Sequence, residues 1–382
     1  MRVLILGGDG YLGWPTAMHL TACGHEVAIA DNYLRRNICR ETNCDPLFLV
    51  PNLHDRVNIW QSVSGRQIDL TIGDLRQWDT MADLIARVKP DAVIHYAEQP
   101  SGPYSMLGRR EAALTLNNNL SVTFNLIQAV HAVVPDAHIV KLGTMGEYGT
   151  PNIDIEEGWI DIEHKGRRQK FLYPRQASSL YHTTKILDTD LLWFYVRMWK
   201  LRVTDLMQGP VYGLATTESE NDERLLPFLN YDEIFGTVLN RFMVQAVAQF
   251  PLTVYGKGNQ IRGYLNLRDT LTCVRLAVEK PAATGELRIL NQFTETFSVN
   301  QLAERVRKVG RKLGLNVVIN SIENPRIEAE DHYYNPAHQA LLEMGLTPTY
   351  LTDDLLAAMI ERVRSHRDNI VADRFVRRAK WA

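Results

Sequence analysis

The chain has 382 residues, of which 45% are hydrophobic and 23% charged. That is ample material for a core, in two or three units or in one large α/β domain with an attached lobe. Its net charge of −2 excludes the basic excess of a nucleic-acid surface, and no apolar run reaches the eighteen or so residues of a membrane span. The first residues, Met1-Arg2-Val3-Leu4-Ile5-Leu6, run straight into a strand, so no signal or transit peptide is expected within this sequence. Cys23, Cys39, Cys44 and Cys273 form no CxxC pair and no metal-like spacing with histidine. Reduced thiols, a cytoplasmic location and no metal are the expectation.

Apolar runs at Val3–Leu6, Glu26–Asp31, Ala92–His95, His138–Leu142 and Arg202–Leu206 read as strands. Thr80–Val88, Glu111–Val133 and Leu180–Trp199 repeat their apolar residues at three- and four-residue intervals and read as helices. Such alternation builds a Rossmann-type, doubly wound parallel α/β sheet. Leu34 through Gly65, with Pro46, Pro51 and two cysteines, reads as a long connection of the kind that serves as a lid or binding flap. Residues 1–209 are then the dinucleotide-binding domain with a flap at about 34–66, and 210–382 a smaller lobe from which about 260–292 returns to the sheet. In that lobe Ala215–Phe228 is polar loop, Gly236–Phe250 and Arg268–Val278 are helical, and Leu252–Tyr255 and Glu286–Gln292 are strand-like. Ser298–Leu313 is an amphipathic helix with Ser298 as N-cap, and Asp368–Ala382 is a charged, peripheral tail.

Gly7-Gly8-Asp9-Gly10-Tyr11-Leu12-Gly13 follows the first strand and opens a helix. Gly7, Gly10 and Gly13 let the chain turn tightly and bring bare backbone against a pyrophosphate at a helix N-terminus. Asp31 ends the second strand, where a carboxylate holds the ribose hydroxyls of NAD. Arg35 and Arg36 follow closely and could attract a 2′-phosphate, but a carboxylate at the strand end favours NAD over NADP. Gly73-Asp74-Leu75 places Asp74 where it can meet the adenine amine.

Tyr181 and Lys185 are four residues apart at the start of a helix and share a face. Tyrosine titrates near 10 and is a poor base at neutral pH until a neighbouring cation stabilises the phenolate. Leu142-Gly143-Thr144 ends the preceding strand and adds a hydroxyl at the carboxyl edge of the sheet. Together they read as a Tyr-Lys-Thr redox set.

These residues, with Pro210-Val211-Tyr212-Gly213, resemble extended short-chain dehydrogenases acting on nucleotide sugars. Long stretches are similar, more narrowly, to the UDP-sulfoquinovose synthases: Lys141 through Gly158, Gln176-Ala177-Ser178-Ser179, Leu252 through Gly258, Asn291-Gln292-Phe293-Thr294-Glu295, and Asn324-Pro325-Arg326 through Asn335. The resemblance runs from Met1 to about Leu351. It implies that UDP-glucose and sulfite (or a protein sulfur donor) become UDP-sulfoquinovose through 4-keto and 4-keto-5,6-ene intermediates, with NAD retained through the cycle and a homodimer as the assembly. A 4-epimerase, a dehydratase that never adds sulfite, and an inactive NAD-binding regulator are the rival readings.

Carried over position by position, the resemblance puts Tyr11, Leu12, Asn32, Leu75, Tyr96, Ala97, Asn119, Gln208 and Val211 in the cofactor shell with the residues above. Where 4,6-dehydratases carry Asp-Glu after the threonine, this chain has Met145 and Gly146, so Met145 joins the catalytic group, and Glu147 and His182 are the candidates for proton handling at C5 and C6. Gln99, Ser101, Thr144, Gln208, Asn240, Tyr255, Gln260 and Tyr264 are assigned to the sugar nucleotide, with Arg262 and Arg326 on its phosphates, since guanidinium binds phosphate bidentately. One departure stands out: Pro100 replaces an arginine that the plant and cyanobacterial synthases carry beside the sugar. Another arginine, such as Arg109, Arg175 or Arg326, is expected to supply that charge.

Overall fold

The computed structural model describes residues 1–324 and 332–375. Seven parallel strands form the central sheet: β1 (Arg2–Leu6), β2 (Glu26–Asp31), β3 (Ile68–Ile72), β4 (Ala92–His95), β5 (His138–Thr144), β6 (Arg202–Gln208) and β7 (Leu287–Gln292). Their spatial order is β7-β6-β5-β4-β1-β2-β3, so the order reverses beside β1 and opens a crevice at the strands' carboxyl ends. Alternate side chains leave opposite faces: Leu4 and Leu6 join one core cluster, Val3 and Ile5 another. Helices α1 (Gly13–Ala22), α2 (Leu34–Thr42), α3 (Leu53–Ser64), α4 (Trp78–Val88), α5 (Arg109–Val133) and α6 (Leu180–Trp199) connect the strands. On one face α4, α5 and α6 supply Met81, Leu84, Leu126, Val130, Leu192 and Val196; on the other, α1, α3 and the helix Leu267–Glu279 supply Trp14, Met18, Trp60 and Val274.

The segment expected to be a long loop is two helices, α2 and α3, separated by a short stretch containing Pro46 and Pro51. Proline removes a backbone donor and breaks the helix between them. Asn52 caps α3 by accepting from the Asp55 N–H at 3.1 Å. A hairpin, Trp159–His164 with Arg167–Leu172, was not expected at all. Its residues are half-buried or exposed on both faces, so no alternation of apolar and polar residues marks it.

The lobe packs the helices Val238–Val247, Val299–Lys312 and Asp353–Ser365 around Phe242, Leu302, Val306 and Ile360. Ser298 caps its helix as expected, and its reciprocal partner is Gln301, in a capping box at 3.1 and 2.7 Å. β7 lies in the lobe half of the sequence yet pairs with β6 at the edge of the central sheet.

Candidate active site

A cleft of about 600 Å³ runs along the carboxyl ends of β1, β2, β4 and β5 and on between sheet and lobe. Its floor is the glycine turn. Gly7 has φ +90°, and a Cβ there would lie 2.7 Å from the Tyr96 carbonyl carbon; at Gly13 it would meet the Gly7 oxygen at 2.0 Å. Bare backbone is therefore required for this turn to close beneath the N-terminus of α1. Gly7, Gly10, Tyr11, Leu12, Gly13, Asp31, Asn32, Arg35, Leu75, Tyr96, Ala97, Gln208 and Val211 line the cleft. An apolar flank (Leu75, Val122), a glycine floor and a carboxylate beyond it fit NAD.

Asp31 accepts from the Asp9 N–H at 2.9 Å and the Tyr33 N–H at 2.6 Å. Burial, then the neighbouring Asp9, pushes its carboxyl up to about 6. The two arginines that could have drawn a 2′-phosphate are engaged elsewhere. Arg36 is bidentate to Asp9 at 2.5 and 2.8 Å and donates to the Pro51 carbonyl. Arg35 donates twice to Asn230 and lies over Phe235 at 4.7 Å. The fully buried Arg56 adds a second cation to Asp9 at 3.4 Å, donates to the Leu226 carbonyl and stacks on Trp14. The 34–66 segment thus ties the glycine turn to the lobe and leaves Asp31 lining the cleft.

One prediction follows from the raised Asp31 carboxyl. Above about pH 6 it is charged and repels a 2′-phosphate; below that it takes a proton and the repulsion fades. The preference for NAD over NADP, measured as a ratio of dissociation constants by fluorescence quenching, is therefore expected to narrow between about pH 7.5 and about pH 5. In Asp31→Asn the ratio should start small and move less. A wild-type ratio no more pH-dependent than that of Asp31→Asn would refute the assignment.

The chemistry-bearing residues meet at the β5–α6 end. Thr144 closes β5, and its Oγ1 accepts from the Gly146 N–H at 3.1 Å. Ser179 caps α6 by accepting from the His182 N–H, which fixes the turn carrying Tyr181 and His182. Thr144, Met145, Tyr181 and His182 all line the cleft. The His182 ring occupies the space over Gly146, where an added Cβ would lie 2.5 Å from Nε2; its Nδ1 is 3.0 Å from the Ser179 hydroxyl. Burial, then Glu98 and Glu147, raise the Tyr181 phenol above its usual range.

Several assigned residues stand behind this surface rather than on it. Lys185 does not line the cleft: it donates to the Leu142 carbonyl at 2.5 Å and pairs with Glu98 at 2.7 Å, its ammonium 5.9 Å from the Tyr181 ring centre. Glu147 is fully buried, held by Lys141 at 3.1 Å and by the Thr144 N–H at 3.3 Å. It anchors the turn after β5 and has no access to C5 or C6 of a sugar. Asn119 accepts from the Gln99 N–H and donates to Thr184, while Gln99 supports Ser101. Asn240 donates to Tyr11 and accepts from the Gly213 N–H. Asp74 pairs with Arg76 at 2.6 Å, and its neighbours Gly73 and Leu75 take the wall. With Arg36, each of these side chains is engaged with a backbone or side-chain partner of the protein itself.

Ser101, after β4, and on the lobe side Tyr255, Gln260, Arg262 and Tyr264 line the cleft as assigned. Arg241, Glu233 and Phe235 line it too and were missed. Arg241 lies over Tyr255 at 5.0 Å on a helix whose other residues are mostly apolar, which hid it. Pro100 lines the cleft. Of the arginines expected to replace its missing charge, Arg175 is tied to Glu147 and Asp190, Arg109 is absent from the lining, and Arg326 lies outside the described residues. Among the described residues, the side chains here that carry or can take positive charge are Arg35, Arg241, Arg262 and His182.

Comparison with known proteins places this geometry. The model of the NAD dependent epimerase/dehydratase family matches residues 3–291. The architecture is shared with a UDP-glucuronic acid 4-epimerase from Bacillus cereus solved with UDP-glucuronic acid and NAD (TM-score 0.71, 20% identity, 96% of this chain and 99% of that one). It is shared also with a UDP-glucose 4-epimerase from Bifidobacterium longum solved with NAD+ and UDP (TM-score 0.72, 18% identity, 97% and 99%). In sequence, the chain is 47% identical to the chloroplastic UDP-sulfoquinovose synthase of Spinacia oleracea, over 100% of this chain and 79% of that protein. It is 44% identical to the UDP-sulfoquinovose synthase of Sulfolobus acidocaldarius, over 97% and 94%. The chain belongs to the NAD dependent epimerase/dehydratase family and, within it, to the UDP-sulfoquinovose synthases.

Proposed function

We propose that the protein converts UDP-glucose and sulfite to UDP-sulfoquinovose. The observation that carries this reading is the wall formed by Thr144, Tyr181 and His182, with Gly146 clearing the space that the His182 ring fills. Bound NAD supplies the oxidant that takes a hydride from C4 and later returns it. Tyr181 takes the proton of the C4 hydroxyl, and Thr144 donates a hydrogen bond to the same oxygen as it becomes a carbonyl. The ketone acidifies C5–H, so loss of that proton and of the C6 hydroxyl, as water, leaves a 5,6-ene. His182, the titratable side chain next to Tyr181 on the wall, serves these two transfers; Glu147 cannot. The nucleophile arrives as hydrogensulfite and passes its proton to His182; sulfite then adds at C6, His182 gives that proton to C5, and C4 is reduced again as Tyr181 gives its proton back. Near Pro100 the cation for an anionic nucleophile is His182 in its protonated form. On the lobe side, Arg262 and Arg241 hold the diphosphate.

Mass spectrometry of the products from UDP-glucose, with and without sulfite, tests the reading. A UDP-hexose sulfonate is expected only with sulfite. Conversion to UDP-galactose, or to an unsaturated sugar unchanged by sulfite, would establish the epimerase or dehydratase reading instead.

The same proposal includes a homodimer. Leu116 and Phe124 on α5 and Leu187, Phe194 and Met198 on α6 are all exposed, and α5 and α6 pack side by side. A self-complementary four-helix contact covers both sets of side chains. Sedimentation should give twice the chain mass, and Phe194→Asp with Met198→Asp should halve it. A monomeric wild type would end this part of the proposal.

A further inference from the structure

Lys185 does not stand alone beneath Tyr181. Its ammonium and the Glu98 carboxylate are 2.7 Å apart and 3% and 2% exposed. Glu98 comes from the turn just after β4, and part of it lines the cleft. On its other side, 3.5 Å away, is His95 Nε2; burial lowers that ring to about 4, so it is neutral at physiological pH. His95 also meets the Thr123 hydroxyl at 3.0 Å. Asp188, one turn beyond Lys185, is pushed well above the usual carboxylate range by burial and by Glu98. Lys141 of β5 lies between Glu147 and Asp205, whose charges it answers. Around Tyr181, Glu98 is the carboxylate in ion-pair contact with Lys185.

An ammonium beside a phenol favours the phenolate, and a carboxylate in contact with that ammonium cancels most of its field at the phenol. We propose that Glu98 is a positioning residue for the acid/base step: it clamps Lys185 in a buried ion pair and thereby keeps Tyr181 a weaker acid than Lys185 alone would make it. This rests on the reading of Tyr181 as the group that moves the C4 proton. The reaction has a stage in which C4 is a ketone and the 5,6-ene awaits sulfite. A phenol that keeps its proton through that stage has it ready for the C4 oxygen when the hydride returns. A more acidic phenol would lose it to solvent while the nucleophile arrives.

The test is a titration of Tyr181 in NAD-loaded protein, by phenolate absorbance in stopped-flow pH jumps completed before unfolding. Tyr181→Phe, recorded in the same way, is subtracted. Glu98→Gln should lower the Tyr181 midpoint by about one pH unit or more, as expected for a lost contact with a like charge. Glu98→Ala, which empties the place instead of neutralising it, should move it in the same direction. In a Lys185→Met background, Glu98→Gln should lower the midpoint by less, because the direct field of the carboxylate is still lost but no ammonium is freed to approach the phenol. A midpoint unmoved in both Glu98 variants overturns the proposal, and so does an equal fall in the Lys185→Met background, which would show that Glu98 does not act through the lysine. The titration uses no sugar nucleotide, so a protein that failed to turn over UDP-glucose would refute the substrate reading and leave this result standing.

Discussion

Tyr181→Phe is expected to lower turnover of UDP-glucose by on the order of 10²–10⁴-fold, the span for loss of a principal acid/base group, while leaving bound NAD and sugar-nucleotide affinity nearly unchanged. The geometry explains the split. Tyr181 reaches the cleft from the first turn of α6, whose position is fixed by the Ser179 cap and by the Tyr181 N–H donating to Ser105 at 3.1 Å. Neither contact uses the phenol. The glycine turn and Asp31, assigned to the cofactor, line the cleft at the carboxyl ends of β1 and β2 and not on α6, so removing one hydroxyl is expected to alter the proton path and little else. Thr144→Ala should cost less, because the role proposed for Thr144 is a hydrogen bond to the C4 oxygen and not transfer of its proton. Single-turnover reduction of bound NAD by UDP-glucose measures both effects before sulfite enters. A Tyr181→Phe protein that still reduced its NAD within a few-fold of the wild-type rate would remove Tyr181 from the mechanism.

The parts of this site that could be read in the sequence are those whose chemistry is local. The glycine turn, Asp31 at the end of β2, and Tyr181 with Lys185 lie within a few residues of the elements that present them, and strand or helix periodicity gives the direction in which they face. What could not be read depends on partners distant in the chain. Glu147 follows Thr144 closely, yet a one-turn 3₁₀ segment tucks it under β5 toward Lys141 and Asp205. Lys185 was expected to act beside Tyr181 and is paired with Glu98, a residue of another strand end. Arg36 was expected near the cofactor and is drawn to Asp9 because the prolines between α2 and α3 fold that segment back onto the glycine turn. Nothing in a one-dimensional pattern reports which of two neighbouring charges finds its partner first.

The second large effect belongs to the buried charges beneath the site. The Lys141 ammonium is fully buried and donates to Glu147 at 3.1 Å, Asp205 at 3.1 Å, Thr189 at 2.6 Å and the Lys185 carbonyl at 3.0 Å. Burial alone would drive its proton off, but Asp205 and Glu147 more than compensate and hold it charged. Glu147, pushed up by burial and by Asp205, is held down chiefly by the lysine. Lys141→Met keeps the bulk and removes the charge, leaving two carboxylates buried side by side with Arg175 as the nearest remaining cation, 3.5 Å from Glu147. Breaking a buried pair in this way costs roughly 3–5 kcal/mol. For a chain of this size, which unfolds with a large entropy, that lowers the melting temperature by roughly 4–6 °C. The sign with pH is fixed. Without the lysine the Glu147 carboxyl titrates higher still above its unfolded value, so the variant loses stability as pH rises through that range and recovers part of it as pH falls and a proton enters. Thermal melts of wild type and Lys141→Met should therefore differ most above neutral pH and draw together near about pH 5. A difference that widened on acidification, or a variant as stable as the wild type at about pH 8, would mean that the lysine is not what holds Glu147 and Asp205 in the core.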